Sequence, residues 1–273
     1  EGDRLPVDDA RDEVVPVPPP IAVLLVDGAP GNTLEEDAVG LLRSVLEPAA
    51  GDGSDPQQFA PFEVRVVQAD FLASAEFRTT RHDVVWIADV ESLPAAAVDP
   101  LEKLVAQGAG LVISVGPGVN AASWNARAFA VDGTRLLPAE LGEHVAVPSR
   151  REGYRRIASF DATHPALAFF ADERWKPLLT EVPVYEFLES RPLAQAQVLA
   201  SFDDAHHSPA LVERTYDRGR VLLLTTTIST RWTRLPESPR WLEAQGRTEE
   251  AEALMQAIEK EASGGKPLPA AAT

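Results

Sequence analysis

Two acidic residues stand at the ends of apolar runs that are typical of strands buried in a parallel sheet. Asp27 follows the run of residues 21–26, and Asp89 lies at the end of a later stretch, residues 82–90. The carboxyl ends of parallel strands share one edge of a sheet, where open α/β proteins bind their ligands. Two carboxylates there could act as an acid/base pair, or they could cap the helices that follow. Both roles stay open here.

Small and polar residues after the same strands complete the set of ligand-binding candidates. Glycine permits close approach of a ligand to the backbone, and amide or hydroxyl side chains supply hydrogen bonds. No G-x-G-x-x-G or Walker pattern is present, so nucleotide binding has little support and no cofactor is expected. With Asp27 and Asp89, the candidates are Gly28, Asn32, Gly116, Asn120 and Thr225.

The turn after the fourth predicted strand, residues 111–118, is where an enzyme of this architecture would carry its nucleophile. A nucleophile on a sharp strand-to-helix turn is exposed beside backbone N–H donors. This turn offers Val115, Gly116 and Pro117, none of which can attack a substrate, and Ser114 is expected to pack inside the strand. The chain has no cysteine. We therefore predict that the protein is not an enzyme.

The histidines give one further candidate for chemistry. Asp204, His206 and His207 form a cluster with ligand types that bind transition metals. A solvated loop is the alternative, and it is favoured because adjacent histidines seldom both point inward. No metal is therefore expected. His82 and His164 precede a strand and a proline, and both are expected in turns or on the surface.

Composition limits the classes of partner. The 273 residues are 45% hydrophobic and 25% charged, which is ordinary for a globular protein with a real core. The formal net charge of −17 repels nucleic acids and anionic lipid headgroups, so neither is an expected partner. No run of about 18 apolar residues is present that could span a bilayer.

Apolar runs and helical stripes alternate over the first half of the chain, which predicts an α/β fold with a mostly parallel sheet and helices on both faces. The first helix is expected to start at Asn32 or Thr33, capped with Glu35 or Glu36, and to carry an apolar stripe that includes Val45. Gly108 is expected to take a left-handed helix end. The strands are predicted over 21–26, 62–68, 82–90 and 111–118, and the later helices over 95–110 and 120–129.

The second half has a different pattern. Residues 132–200 mix short β-like pieces with loops, and residues 210–227 predict a hairpin whose turn uses positive φ at Gly219. The second arm of this hairpin is apolar enough to join the central sheet. Residues 236–260 are charged and helical in pattern, with a narrow apolar face.

Several stretches, among them "VPPPIAVLLVDGAPGN", "LLPAELGE", "HPALAFFAD" and "ALVERTYDRGRVLLLTTTISTRWTRLP", resemble a known module. It is the glutamine-amidotransferase-like module of BatA-type (aerotolerance-operon) bacterial membrane proteins, which contain a von Willebrand A-like domain. The resemblance covers about residues 1–236 and implies a flavodoxin-like fold. It also implies a place on the extracytoplasmic side of the bacterial envelope, with membrane contact only through segments outside this sequence.

The resemblance implies three parts. Residues 1–20 would be the end of an upstream β-sandwich and a linker, or alternatively a disordered terminus. Residues 21–236 would be the α/β domain, and 237–273 a helical appendage with a tail. Residues 236–260 resemble instead a cytoplasmic loop of sugar-porter transporters, which we take as a coincidental or grafted match.

These observations predict a non-catalytic scaffold that binds other domains of its own chain or envelope proteins. The alternative is a hydrolase or a binding domain for a small, sugar-like molecule that uses Asp27 and Asp89.

Overall fold

A computed structural model describes residues 19–47, 61–129, 134–148 and 153–233 of the chain. In the described residues the helices are α1 (Ala38–Leu46), α2 (Ala75–Thr79), α3 (Val98–Ala106), α4 (Ala121–Trp124) and α5 (Pro177–Thr180). The strands are β1 (Ile21–Asp27), β2 (Phe62–Gln68), β3 (Val84–Ala88), β4 (Gly110–Ser114), β5 (Ala139–Ala146), β6 (Ile157–Phe160), β7 (Glu186–Pro192), β8 (Gln197–Phe202), β9 (Pro209–Tyr216) and β10 (Gly219–Leu224).

Eight of these strands form one sheet in the order β2-β1-β3-β4-β10-β9-β8-β6. The five strands from β2 to β10 are parallel, and β9, β8 and β6 continue the sheet in antiparallel fashion. The strands β5 and β7 pair separately as an antiparallel ribbon. The predicted α/β class with a β-rich second half is therefore confirmed, and the second hairpin arm, β10, does join the central sheet.

The parallel half is buried on both faces because its strands are almost wholly apolar. Alternate side chains of β1 point to opposite faces, so Leu24 packs in a cluster with α2, α3 and α4, whereas Leu25 packs against α1. Helices thus cover both faces of this half, as the continuous apolar run of β1 predicts. This packing fixes the carboxyl ends of β1 and β3 side by side.

The first helix begins later than predicted. Asp37, not Asn32 or Thr33, is its N-cap, and the Asp37 side chain accepts a hydrogen bond from Gly40 N at 2.9 Å. The carbonyl of Thr33 is used in a turn, where it accepts from the N–H groups of Glu36 and Asp37. Val45 lies outside the buried stripe, with 75% of its surface exposed.

The connection from β2 to β3 contains structure that the sequence pattern did not predict. Residues 69–73 form a 3₁₀ helix and α2 follows, because two parallel strands of one sheet need a crossover connection, here from β2 past β1 to β3. His82, at the end of this connection, is buried and stacks on Phe77 with ring centroids 5.1 Å apart. Burial, with a smaller effect of Arg65, lowers the pKa of His82. The expected surface position of His82 is therefore wrong.

His164 also lies inward and links a loop to the antiparallel half of the sheet. Its Nε2 lies 3.2 Å from Glu213 Oε2, and only 10% of its side chain is exposed. Arg220 contacts the same carboxylate at 3.1 Å. The His164 side chain thus contacts β9 and is largely buried, while the residue itself lies in a turn, which is one of the two predicted placements.

Glycine is required at two turns for different reasons. Gly108 ends α3 with φ of +117°, which confirms the predicted left-handed position. In the β9–β10 hairpin the positive φ belongs to Asp217, at +50°, and not to Gly219. Gly219 is needed because a Cβ there would overlap the carbonyl oxygens of Val105 and Ala109.

We predict that Gly219→Ala lowers the free energy of unfolding by about 1–3 kcal/mol, because the new methyl group must displace backbone rather than a flexible side chain. Gly153→Ala is the matched control, since a Cβ there meets nothing within 4 Å. Urea unfolding of both variants measures the difference. Equal stability of the two variants would contradict this packing.

Candidate functional site

The carboxyl ends of β1 and β3 lie side by side at one edge of the sheet, a place that we call the β1/β3 crevice. The chain runs from β1 outward to β2 and then crosses back to β3, so the strand order changes direction between β1 and β3. Asp27 is the last residue of β1 and pairs with Ala88, the last residue of β3. Asp89 follows directly. Open α/β sheets bind ligands at such a switch point, and both predicted acids lie there.

Asp89 is held in an uncommon conformation. It has a left-handed φ of +49° and is only 6% exposed. Its Oδ1 accepts a hydrogen bond from Gly118 N at 2.8 Å. Burial raises the pKa of Asp89, and the charge of Asp27 raises it further, whereas the bond from Gly118 and the charge of Arg231 lower it. Burial therefore makes ionisation of Asp89 less favourable than in water.

Asp27 is buried to a similar degree, at 8% exposure. Its Oδ1 accepts from Ala29 N at 3.1 Å, a local turn bond two residues along the chain. Burial raises the pKa of Asp27, the bond from Ala29 opposes this, and Asp37 adds a smaller upward effect. Each acid thus accepts a hydrogen bond from a backbone N–H in a loop through one carboxylate oxygen, and neither acid caps a helix.

Arg231 is a member of this site that sequence reasoning missed. Its Nη1 lies 3.9 Å from Asp89 Oδ2, and its charge lowers the pKa of both Asp27 and Asp89. It comes from the segment after β10, far from both acids in sequence. No local pattern marks it, because only the fold brings this segment over the end of β1.

The turn after β4 is filled by the carboxylate of Asp89. A Cβ at Gly116 would overlap that carboxylate, and a Cβ at Gly118 would lie 3.2 Å from its Oδ1. A Cβ at Gly28 would overlap the backbone of Asp89 and Val90. Gly28 and Gly116 therefore serve close packing around Asp89.

The remaining ligand-binding candidates have other partners or lie apart. Asn120 is the N-cap of α4, where its side chain accepts from Ser123 N at 2.9 Å. Thr225 is fully buried and donates to Pro209 O at 2.8 Å. Asn32 is exposed in the loop before α1. The structure thus brings together Asp27, Asp89 and the glycines, but not these three residues.

The predicted metal candidates do not converge. Asp204 accepts from Ser208 N at 2.7 Å and from Ser208 Oγ at 2.8 Å, which organises the loop before β9. Burial favours a higher pKa for Asp204, but these hydrogen bonds hold it below the ordinary value. Across the described ranges, no group of three or more acidic or histidine side chains, including His206 and His207, is placed to hold a metal ion.

We predict that Asp89→Ala is more destabilising than Asp89→Asn. Alanine in the left-handed region and loss of the acceptor for Gly118 together cost about 2–3 kcal/mol. Asparagine tolerates the same φ and keeps an acceptor oxygen, so its cost is expected to be below about 1 kcal/mol. Chemical unfolding at pH 7 measures both, and equal losses would contradict a conformational role for Asp89.

We predict that the free energy of unfolding of the Asp27→Asn variant rises, relative to that of the native chain, as the pH rises. The pKa of Asp27 in the folded state lies above the unfolded value of about 3.9. The carboxyl group of Asp27 therefore makes its full contribution to folding stability only at a pH below that value. This contribution is lost as the pH rises through the raised folded pKa. Unfolding free energies from pH 4 to pH 8 measure this trend.

Asp161→Asn is the control, because hydrogen bonds from the hydroxyl and N–H of Thr163 lower the pKa of Asp161. Its contribution is lost as the pH falls, so its trend should have the opposite sign. A pH-independent effect of Asp27→Asn would contradict the burial of this charge.

No protein-family model and no curated protein matches the chain. Among solved structures, it is similar to the cytoplasmic protein STM3548 from Salmonella typhimurium, with 16% identity over 78% of this chain and 89% of that chain and a TM-score of 0.52. The cytoplasmic protein STM1381 from Salmonella typhimurium LT2 gives 18% identity over 85% and 99% of the two chains, also with a TM-score of 0.52. At such identity the likeness shows the fold alone.

A similarity to exo-β-1,4-mannosidase Op5Man5 from Opitutaceae bacterium strain TAV5 is weaker. The identity is 17% over 88% of this chain and 36% of that chain, with a TM-score of 0.44. A TM-score at this level supports no conclusion on function.

The predicted kinship with BatA-type membrane proteins is wrong. The two similar structures with a TM-score of 0.52 are described as cytoplasmic proteins, and no family model or curated protein links the chain to BatA-type proteins. The predicted extracytoplasmic envelope location is wrong for the same reason. In the part of the chain that the structure covers, no helix has both the length and the apolar character to cross a membrane.

The stretches that carry the resemblance consist largely of apolar strands and adjoining turns, which are general features of α/β sheets. Residues 1–18, which make up most of the predicted upstream segment, and the transporter-like stretch 236–260 lie outside the described residues.

Proposed function

We propose that this is a flavodoxin-like domain that binds a small, hydroxyl-rich, sugar-like molecule in the β1/β3 crevice, without covalent catalysis. The observation that carries the proposal is the meeting of two buried acids, Asp27 and Asp89, at the switch point of the sheet. The order β2-β1-β3-β4-β10 supports the flavodoxin-like class, because it matches the 2-1-3-4-5 order of that fold.

The acids are suited to accept hydrogen bonds from hydroxyl groups. Oδ1 of each carboxylate is already bonded to a backbone N–H, whereas Oδ2 of Asp89 faces Arg231 at 3.9 Å. Burial has removed water from both carboxylates, which raises their pKa values. Ligand hydroxyls that donate to these oxygens would replace the lost hydration.

The charges argue against anionic ligands. Two carboxylates and one guanidinium leave the crevice negative, and the formal net charge of the chain is −17. Phosphorylated ligands would therefore be repelled, and exclusion of nucleic acids remains a prediction on the same ground. Arg231 can still donate to a neutral ligand oxygen, which makes a sugar-like molecule the best match.

The absence of a covalent step is inferred from the turn after β4. Val115, Gly116 and Pro117 carry no nucleophilic side chain, and the carboxylate of Asp89 occupies the space beside Gly116. Covalent acyl transfer needs a side chain with a reactive electron pair at this position. We therefore assign binding rather than covalent catalysis to the domain.

A second candidate function is hydrolysis by acid/base chemistry. It is favoured by the raised pKa values of both acids and by the effect of Asp27 on Asp89, since such pairs can share the roles of proton donor and acceptor. The same residues would then act on a bound glycoside through water. Turnover, not binding, distinguishes the two functions.

We predict that the chain binds at least one neutral sugar from a panel of monosaccharides and disaccharides, and that Asp27→Asn weakens this binding by about tenfold or more. Saturation-transfer NMR at pH 7 identifies the ligand, and calorimetry measures its affinity. Asp70→Asn is the control, because Asp70 is exposed just beyond β2 at the same edge of the sheet.

Binding that Asp27→Asn and Asp70→Asn affect equally would contradict the proposed site, as would failure of the whole panel to bind. Release of nitrophenol from aryl glycosides, lost in Asp27→Asn, would instead establish the hydrolase.

A further inference from the structure

The strand β2 forms one end of the eight-stranded sheet, and no described strand pairs with its outer edge. Ile21 N donates to Pro61 O at 2.9 Å, immediately before the strand begins. A parallel ladder repeats such contacts at every second residue, so the N–H and C=O groups of residues 63 and 65 also face β1. The backbone groups of the alternate residues face outward: Phe62, Val64 and Val66.

The two ends of the sheet differ in how well they are protected against pairing with another chain. At the far end, β6 has four residues, and its register with β8 is irregular between Ile157 and Ser159. Short or irregular edge strands resist further pairing, as do edge prolines and lysines. In contrast, β2 pairs with β1 over seven residues without a shift, and it contains no proline or lysine. Its outer edge is therefore suited to accept another strand.

The side chains of β2 alternate between a charged face and an apolar face. Glu63 and Arg65 are exposed on the charged face. Arg65 lies 4.4 Å over the ring of Phe71 and pairs with Glu76 at 2.6 Å, so contacts with the following connection hold it at the edge. On the apolar face, Val66 is 40% exposed. An added strand would thus meet both charges and an uncovered apolar side chain.

We propose that two copies of this chain associate through their β2 strands, which pair in antiparallel orientation about a two-fold axis at Val64. Val64 then lies opposite Val64 of the second copy, and Phe62 lies opposite Val66. These outward-facing residues form hydrogen-bonded pairs, each of which exchanges two N–H···O bonds. The aromatic and β-branched pairs of Phe62 with Val66 stabilise the contact and cover the exposed valine.

The charges of β2 select both the partner and the register. With the axis at Val64, Glu63 lies opposite Arg65 of the second copy, and the symmetry repeats this pair. Both fall at non-hydrogen-bonded positions, where opposite Cα atoms are about 4.5 Å apart. An axis at Glu63 or at Arg65 would instead place like charges opposite each other, which is unfavourable. A second copy of β2 is therefore complementary to β2 in one register.

The two charged side chains are available for this contact. Glu63 has no ion-pair partner among the described residues. The guanidinium of Arg65 has five N–H donors, so it can bind a second carboxylate besides that of Glu76. The formal net charge of −17 on each chain opposes association at low salt. Association is therefore expected to be clearest at about 0.15 M salt, where repulsion beyond about 8 Å is screened.

Light scattering of the full chain at that salt concentration tests the proposal, and a dimer with twice the mass of one chain is expected. Glu63→Arg and Arg65→Glu are each expected to weaken the dimer by about tenfold or more, because like charges then face each other at two positions. An equimolar mixture of the two variants is expected to restore the dimer. One strand then carries two arginines at these positions, and the other carries two glutamates.

Arg218→Glu is the matched control for Arg65→Glu. It makes the same change in net charge at an exposed residue in the turn between β9 and β10. It is expected to change the dissociation constant of the dimer less than twofold. Circular dichroism of each variant verifies that the fold is kept.

Cysteine variants test the register without introducing a new charge, and the native chain has no cysteine that would interfere. Oxidation of a mixture of Glu63→Cys and Arg65→Cys is expected to give a disulfide-linked dimer of the two variants, because opposite Cα atoms lie within disulfide range. Either variant alone should remain unlinked, since its two cysteines would be diagonal neighbours with Cα atoms about 7–8 Å apart.

A monomeric native chain would overturn the proposal and leave this edge to an extended segment of another protein. A dimer that Glu63→Arg and Arg65→Glu do not weaken, or that Arg218→Glu weakens equally, would place the contact elsewhere and overturn it too. Folded charge variants whose mixture stays monomeric would contradict the antiparallel register. Cross-linking of the single cysteine variants as readily as of their mixture would do the same.

Discussion

The burial of the Asp89 carboxylate between two loops is the constraint on which the site depends. A carboxylate in such a position needs hydrogen-bond donors and close-fitting backbone, and Gly118 N and the missing side chain of Gly116 provide them. The left-handed φ of Asp89 turns the chain so that Gly28 and the end of β1 lie directly beside it. Asp89 thus contacts the chain at the carboxyl ends of three parallel strands, β1, β3 and β4.

This arrangement underlies the proposal that the same edge of the sheet binds a ligand without a covalent step. The space that a reactive side chain would need beside Gly116 is taken by the Asp89 carboxylate. Burial of that charge raises the pKa of Asp89, and the charge of Arg231 opposes this effect only in part. A ligand with hydroxyl donors would lower the cost further, which links the stability of the crevice to its occupancy.

Sequence patterns predicted the parallel half of the fold well and the other half poorly. Strands such as β1 are apolar on both faces and stand out, whereas β6 and β8 are short and half-exposed, and their pairing is set by contacts distant in sequence. The positions of Asp27 and Asp89 followed from strand ends. The part played by Arg231 did not, because only the folded chain brings it to Asp89.

The central claim is that Asp27 and Asp89 are buried, electrostatically coupled acids at the crevice. Carbon-detected NMR titration of their side-chain carboxyl groups tests it most directly, in the native chain and in Asp27→Asn. Both pKa values are expected to lie above the ordinary aspartate value of about 3.9, and the pKa of Asp89 is expected to fall when Asp27 loses its charge. Ordinary or lowered values for both acids, with Asp89 unaffected by the substitution, would contradict it.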